Sequence, residues 1–115
     1  MSTVSTAFAR EAARIREEAG LTTSQIARAT GAASSTVRDW LGARSEPRGN
    51  RAERIAELSA IVDRLKRVMR EEYVRVWLSK PIEALGDAKP LDLIAAGEYL
   101  RVARVVSELE DPGAV

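Results

Sequence analysis

Apolar side chains along the first nineteen residues recur at Val4, Phe8, Ala12, Ile15 and Ala19, the three- and four-residue spacing of a helix. Ser2 or Thr3 is placed to cap this helix and Gly20 to stop it. Arg10, Glu11, Arg14, Arg16, Glu17 and Glu18 fall mostly on the opposite side, as a solvated face. The next stretch, Leu21 to Leu41, reads as two short helices hinged at Gly31. The first carries Ile26 beside the small Ala27, and Thr22 with Gln25 fits a capping box at its start. Gly31 supplies the left-handed residue that ends a helix and turns the chain. The second sets Val37, Trp40 and Leu41 on one face. Ala33 has no side-chain acceptor for capping, so this helix either frays at its start or begins at Ser34.

From Gly42 to Asn50 the chain is a loop by composition, with Pro47 and Gly49 as breakers. Asn50 is placed to cap the following helix, in which Ile55, Leu58, Val62, Leu65 and Met69 form a heptad seam. Ile61 and Val68 add a flanking stripe, so this helix is apolar on two sides. The pattern admits two readings: a linking helix that pairs with a second copy, or a buried helix that bridges the two halves of the chain. Tyr73, Val74, Val76, Trp77 and Leu78 predict a short aromatic-rich helix stopped by Pro81. Gly86 and Asp87 make a turn, and Pro90 opens a helix holding Leu91, Leu93 and Ile94. Gly97 ends it so that Glu98 starts the last helix near its positive end. That helix sets Leu100, Ala103, Val106 and Leu109 on one stripe, with Val102 and Val105 beside it. Pro112 and Gly113 prevent it from continuing. The fold class expected is all-α, as one domain or two very small helical units sharing a core.

Charge changes this picture. The net charge is only +1, yet residues 21–51 carry +3, residues 52–70 carry +2 and residues 71–115 carry −4. A basic middle suits phosphate, and an acidic end suits a protein partner. The chain has no cysteine, so no disulfide framework or thiolate site. It has no histidine either, which removes the commonest general base at neutral pH. With no paired carboxylates clearly held in one site, no catalytic constellation can be assigned, and neither an enzyme nor a cofactor is expected. No apolar run approaches bilayer length and no signal-peptide core is visible at the N-terminus, so a cytoplasmic location is expected.

The hairpin resembles the helix-turn-helix of phage-repressor-like (Xre) DNA-binding proteins. The match runs from Leu21-Thr22 through Ile26-Ala27 and Gly31 to Ser35-Thr36-Val37 and Trp40-Leu41. In such a motif the first turn of the second helix meets base edges in the major groove. The candidates there are Ser34, Ser35, Thr36 and Arg38, of which only Arg38 has the fork that reads guanine bidentately. Gln25 is a candidate phosphate ligand. Arg44 and Arg48, followed by Arg51, sit where such proteins often touch the DNA backbone, although a solvated linker has the same composition. Ala33 departs from the serine or threonine usual at that cap, which leaves both tolerant and sharp base reading open. A tight helical hairpin without any DNA ligand also needs a small residue, a glycine and apolar partners.

The last part resembles the toxin-binding domain of Xre/MbcA/ParS-type antitoxins. The match lies in Trp77-Leu78, Pro81, Ala84-Leu85-Gly86, Lys89-Pro90-Leu91-Asp92-Leu93, Gly97-Glu98 and the amphipathic stretch after them. This implies three segments: a DNA-binding unit at 1–50, a linking or dimerisation helix at 51–70, and a small toxin-binding domain at 71–115. It further implies a partner of the RES-domain class, toxins that destroy NAD, and operator DNA as a second ligand. A homodimer, or a higher hetero-oligomer with the toxin, is the implied assembly. In related antitoxins the C-terminal region lies against or inside the toxin's active-site cleft. The resemblance therefore places toxin contacts at Gly97, Glu98, Arg101 and Arg104, and at the tail of Asp111, Pro112, Gly113, Ala114 and Val115. A stand-alone Xre-type regulator, using its C-terminal half for dimerisation, is the alternative.

Overall fold

The computed structural model describes residues 3–113. Among them the chain forms seven α-helices and one turn of 3₁₀ helix, with no strand beyond a single antiparallel bridge between Ile82 and Ala88. The expected all-α class therefore holds. The helices are α1 (Thr3–Ala19), α2 (Thr23–Thr30), α3 (Ser34–Leu41), α4 (Asn50–Leu65), α5 (Glu71–Ser79), α6 (Pro90–Ala95) and α7 (Tyr99–Glu110); the 3₁₀ turn is Glu83–Leu85. Ser2, a candidate cap for α1, lies outside the described residues, as does the side chain of Val4. None of the described helices is long and apolar enough to cross a membrane.

The heptad seam decides the architecture. Ile55, Leu58, Val62 and Leu65 are fully buried, and so is Ile61 on the flanking stripe. Helix α4 is enclosed by α1 and α2 on the N-terminal side and by α6 and α7 on the C-terminal side. Within the protomer, these seam positions of α4 are enclosed by the chain's own helices. Met69 lies beyond the end of α4, half-buried against the core. Buried residues from all three chain segments, from Ile15 through Leu58 to Val106, form one hydrophobic core. The halves share that core rather than owning one each.

Polar contacts fasten the same interfaces. Arg14 on α1 binds Glu11, Glu18, Ser59 and Asp63, with Nη1 2.7 Å from Glu18 and 2.9 Å from Asp63. The three carboxylates raise the guanidinium pKa, chiefly through Asp63, and Arg14 in turn holds the Glu18 carboxyl below its ordinary value. On α2, Arg28 makes a two-pronged pair with Asp92 of α6, one prong 3.0 Å long. Arg64 of α4 reaches Glu110 and donates to Ser107 Oγ at 2.9 Å on α7.

Three local expectations meet different outcomes. The Gly86–Asp87 turn forms, with positive φ of 66° and 64°; aspartate is among the few non-glycine residues that tolerate this region. Asn50 does not cap α4. Gly49 occupies the cap position at φ 56°, Asn50 is the first helical residue, and no side chain caps the start. The stripe expected on α7 is also revised: Val102 and Val106 are fully buried, whereas Leu100 is 68% exposed and Leu109 is 39% exposed. Leu100 precedes Val102 by two residues, about 200° around a helix, so docking by Val102 and Val106 turns Leu100 outward.

Candidate functional sites: the face of the α2–α3 hairpin and the outer face of α7

The hairpin is built as its sequence requires. Thr22 Oγ1 accepts from the Gln25 N–H at 3.0 Å, and Gln25 Oε1 accepts from the Thr22 N–H at 2.9 Å, completing the capping box. Gly31 ends α2 at φ 71°, ψ 23°, and its N–H donates to the Ala27 carbonyl. Thr30 is buried, and its hydroxyl donates to the Ile26 carbonyl at 2.8 Å. Helix α3 begins at Ser34, and Ala33 occupies the cap without a side-chain bond. Val37 and Trp40 face the core. Ser35 and Arg38 are left exposed, and Ser34 and Thr36 half-buried.

Gln25 is placed differently from a free phosphate ligand. Its carboxamide Nε2 donates to Ser79 Oγ at 2.6 Å and to the Arg75 carbonyl at 3.3 Å, so both ends of the side chain are engaged within the protomer. It ties the start of α2 to α5. Arg44 Nε lies 3.2 Å from Asp39, and its Nη2 donates to the Arg38 carbonyl at 3.5 Å. Arg48 is 85% exposed, with Nε 3.9 Å from Glu46. Arg51 donates to the Gly31 carbonyl at 3.4 Å.

Ser34 and Arg38 share an open cavity of about 540 Å³ with Gly20, Thr22 and Ser24, and with Arg16 from the end of α1. Arg16 belongs by periodicity to the solvated side of α1, and helical spacing carries no signal that it meets α3. Only the packing of α1 over the hairpin brings it there.

The C-terminal candidates fall into two groups. Gly97, at φ 82°, separates α6 from α7, and a Cβ there would lie 3.3 Å from Arg54 Nη2. Glu98 occupies the cap position of α7 and accepts from Arg101 at 3.2 Å. Arg101 also donates to the Leu85 carbonyl at 3.3 Å, which fixes it over the 3₁₀ turn. Arg101 and Arg104 then line a shallow cavity of about 250 Å³ with Ala84, Leu85, Val105 and Glu108. At the far end, the Asp111 N–H donates to the Ser107 carbonyl, and Asp111, Pro112 and Gly113 are exposed. Ala114 and Val115 lie outside the described residues. Leu100 stands on the exposed side of the same helix, a position that the apolar pattern assigns to the core.

Comparison with known proteins gives the relationship. No family model matches the chain. It is 28% identical over 95 residues to the mycobacterial cidal antitoxin MbcA of Mycobacterium bovis and of Mycobacterium tuberculosis, an alignment spanning 83% of this chain and 84% of theirs. Its fold matches a chain in the crystal structure of the M. tuberculosis MbcT–MbcA toxin–antitoxin complex, with a TM-score of 0.80 and 27% identity. That match covers 93% of this chain and 96% of the other. The α2–α3 hairpin, α4 and the C-terminal helices are thus matched together, and the chain is homologous to the MbcA antitoxins in sequence and in fold.

Proposed function

We propose that this protein is the antitoxin of a toxin–antitoxin pair. It grips a cognate RES-class toxin through the outer face of α7, occludes the toxin's cleft with the tail after it, and binds operator DNA through its helix-turn-helix. The observation that carries this reading is the match over almost the whole chain to the MbcT–MbcA complex, rather than to a helix-turn-helix alone. The surface of α7 supports it. Leu100 is a large aliphatic side chain in solvent, and Arg104 on the same helix has no ion pair among the described residues. Leu100 and Arg104 are four residues apart, on one face of the helix, and arginine is enriched at interface centres. The acidic balance of residues 71–115 suits a protein partner better than nucleic acid.

The test is co-expression with the toxin encoded beside it, read as growth and as co-purification. Leu100→Asp is expected to weaken the complex at least tenfold without unfolding the chain, because Leu100 packs on no core. Removing Asp111 to Val115 is expected to preserve binding while restoring toxin activity wholly or in part. Full protection by both variants would sink the proposed surface. Failure of the intact pair to associate would instead favour a stand-alone regulator.

A further inference from the structure

We infer that the DNA-backbone surface extends beyond the helix-turn-helix onto α5, where Arg75 and Lys80 take phosphates alongside Arg16, next to the base-reading Arg38. This rests on the DNA-binding part of the proposed function and adds residues that the hairpin does not contain. The cavity shared by Arg16 and Arg38 adjoins a second one of about 400 Å³, lined by Arg75, Val76, Ser79 and Lys80 together with Gln25. Thr22 lines both, so the two flank the start of α2. The Arg75 guanidinium lies across Gly20: a Cβ at that glycine would come 2.8 Å from Nη1. Gly20, at φ 67°, thus serves both the turn into α2 and the close approach of an arginine from 55 positions later in the chain.

Four cations gather along this edge. Arg16, Arg38, Arg75 and Lys80 are all exposed, and none has an ion-pair partner among the described residues. Arg44 and Arg48, the loop arginines suited by sequence to the backbone, both face a carboxylate. Arg75 and Lys80 are cations in a segment whose net charge is −4, yet they lie where that segment meets the basic hairpin. Three unpaired cations on α1, α5 and the residue after it, with Arg38 of α3 beside them, suit a run of phosphates better than one small anion. Gln25 fixes the register, because its carboxamide holds α5 against α2.

Phosphate contacts position a protein without reading sequence, and each adds about one unit to the slope of log affinity against log salt. The experiment is a gel-shift titration of the full-length protein on a duplex from its own promoter and on an unrelated duplex of equal length, from 50 to 300 mM KCl. Arg75→Ala and Lys80→Ala are each expected to weaken binding to both duplexes about five- to tenfold at 0.1 M salt and to flatten the slope by about one unit. The double variant is expected to flatten it by about two, with helicity by circular dichroism unchanged. Arg38→Ala is expected to alter the ratio between the two duplexes instead. If the wild type binds DNA and the double variant keeps its slope, the extension onto α5 is wrong and the helix-turn-helix reading survives. If the double variant keeps DNA binding but loses the toxin, this edge belongs to the protein partner. If the wild type binds neither duplex at 50 mM, the DNA-binding reading itself fails and takes this inference with it.

Discussion

Gln25 shows how much one side chain's surroundings decide. Its position in a capping box is legible from Thr22 three residues before it, because the motif is closed within one helical turn. Its second task, holding Ser79 and the Arg75 carbonyl, lies about fifty residues away and leaves no local trace. Gln25→Ala is expected to lower stability by about 1–2 kcal/mol, read as a shift in the urea midpoint at constant slope, since it removes half of the box and both links to α5. The Arg28–Asp92 pair is similarly non-local. The guanidinium holds the Asp92 carboxyl below its ordinary value, so the native state binds that proton less readily than the unfolded chain. The pair's contribution is therefore present above the ordinary aspartate pKa, and is lost as pH falls through the depressed one. Both groups are partly exposed, so the effect is modest. Asp92→Asn is expected to cost a few tenths to about 1 kcal/mol at pH 7, with the gap from wild type closing below about pH 4. A gap that does not narrow at all as pH falls below the ordinary aspartate value would mean that Asp92 acts through packing.

Helix ends and turns are readable wherever the signal is short: Thr22 with Gln25, Gly31, Gly86 with Asp87, and Pro90 at the start of α6. Faces are harder. Helix α7 carries apolar residues at 100, 102, 103, 105, 106 and 109, nearly all round, and periodicity alone does not choose a docking side. Packing on α4 and α6 selects Val102 and Val106 and leaves Leu100 outside. The seam of α4 poses the opposite problem, since a heptad reads the same whether its partner is a second copy or the protomer's own helices. Because Leu58 is fully buried in the shared core, Leu58→Ala is expected to cost about 2–5 kcal/mol. Leu58→Lys is expected to abolish the helical circular-dichroism signal rather than yield folded monomers. Helix α3 offers a gain instead. Ala33 already has the extended backbone of a cap, φ −75° and ψ 152°, but no acceptor. Ala33→Ser is expected to raise stability by about 1 kcal/mol, measured by thermal unfolding.

At the scale of the molecule, the three segments proposed for the chain follow one another in sequence, whereas in space they share one continuous core. Function and folding are then coupled in a way that a two-domain chain would avoid. Trp40 lies in the hairpin and Trp77 in α5, and both are buried in that core. Trp77→Phe and Trp40→Phe variants each leave one fluorophore, reporting on the N-terminal and C-terminal parts respectively. Their urea transitions are expected to coincide with each other and with loss of helicity, the signature of a single cooperative unit. The same coupling sets the effect of truncation. Removing Asp111 to Val115 touches only the residue that closes α7 and the tail beyond it, so stability should stay within about 0.5 kcal/mol of wild type. Removing everything from Gly97 strips Val102 and Val106 from the core and cuts the contacts of Arg64 with Glu110 and Ser107. That deletion is expected to lower stability by several kcal/mol and to weaken the proposed DNA binding as well as the proposed toxin binding, although no residue of the hairpin is changed. Urea unfolding and a gel shift on the same preparation would decide the matter. If the hairpin kept its midpoint and its DNA affinity without α7, the N-terminal unit would own a sufficient core, and the two halves would be independent domains.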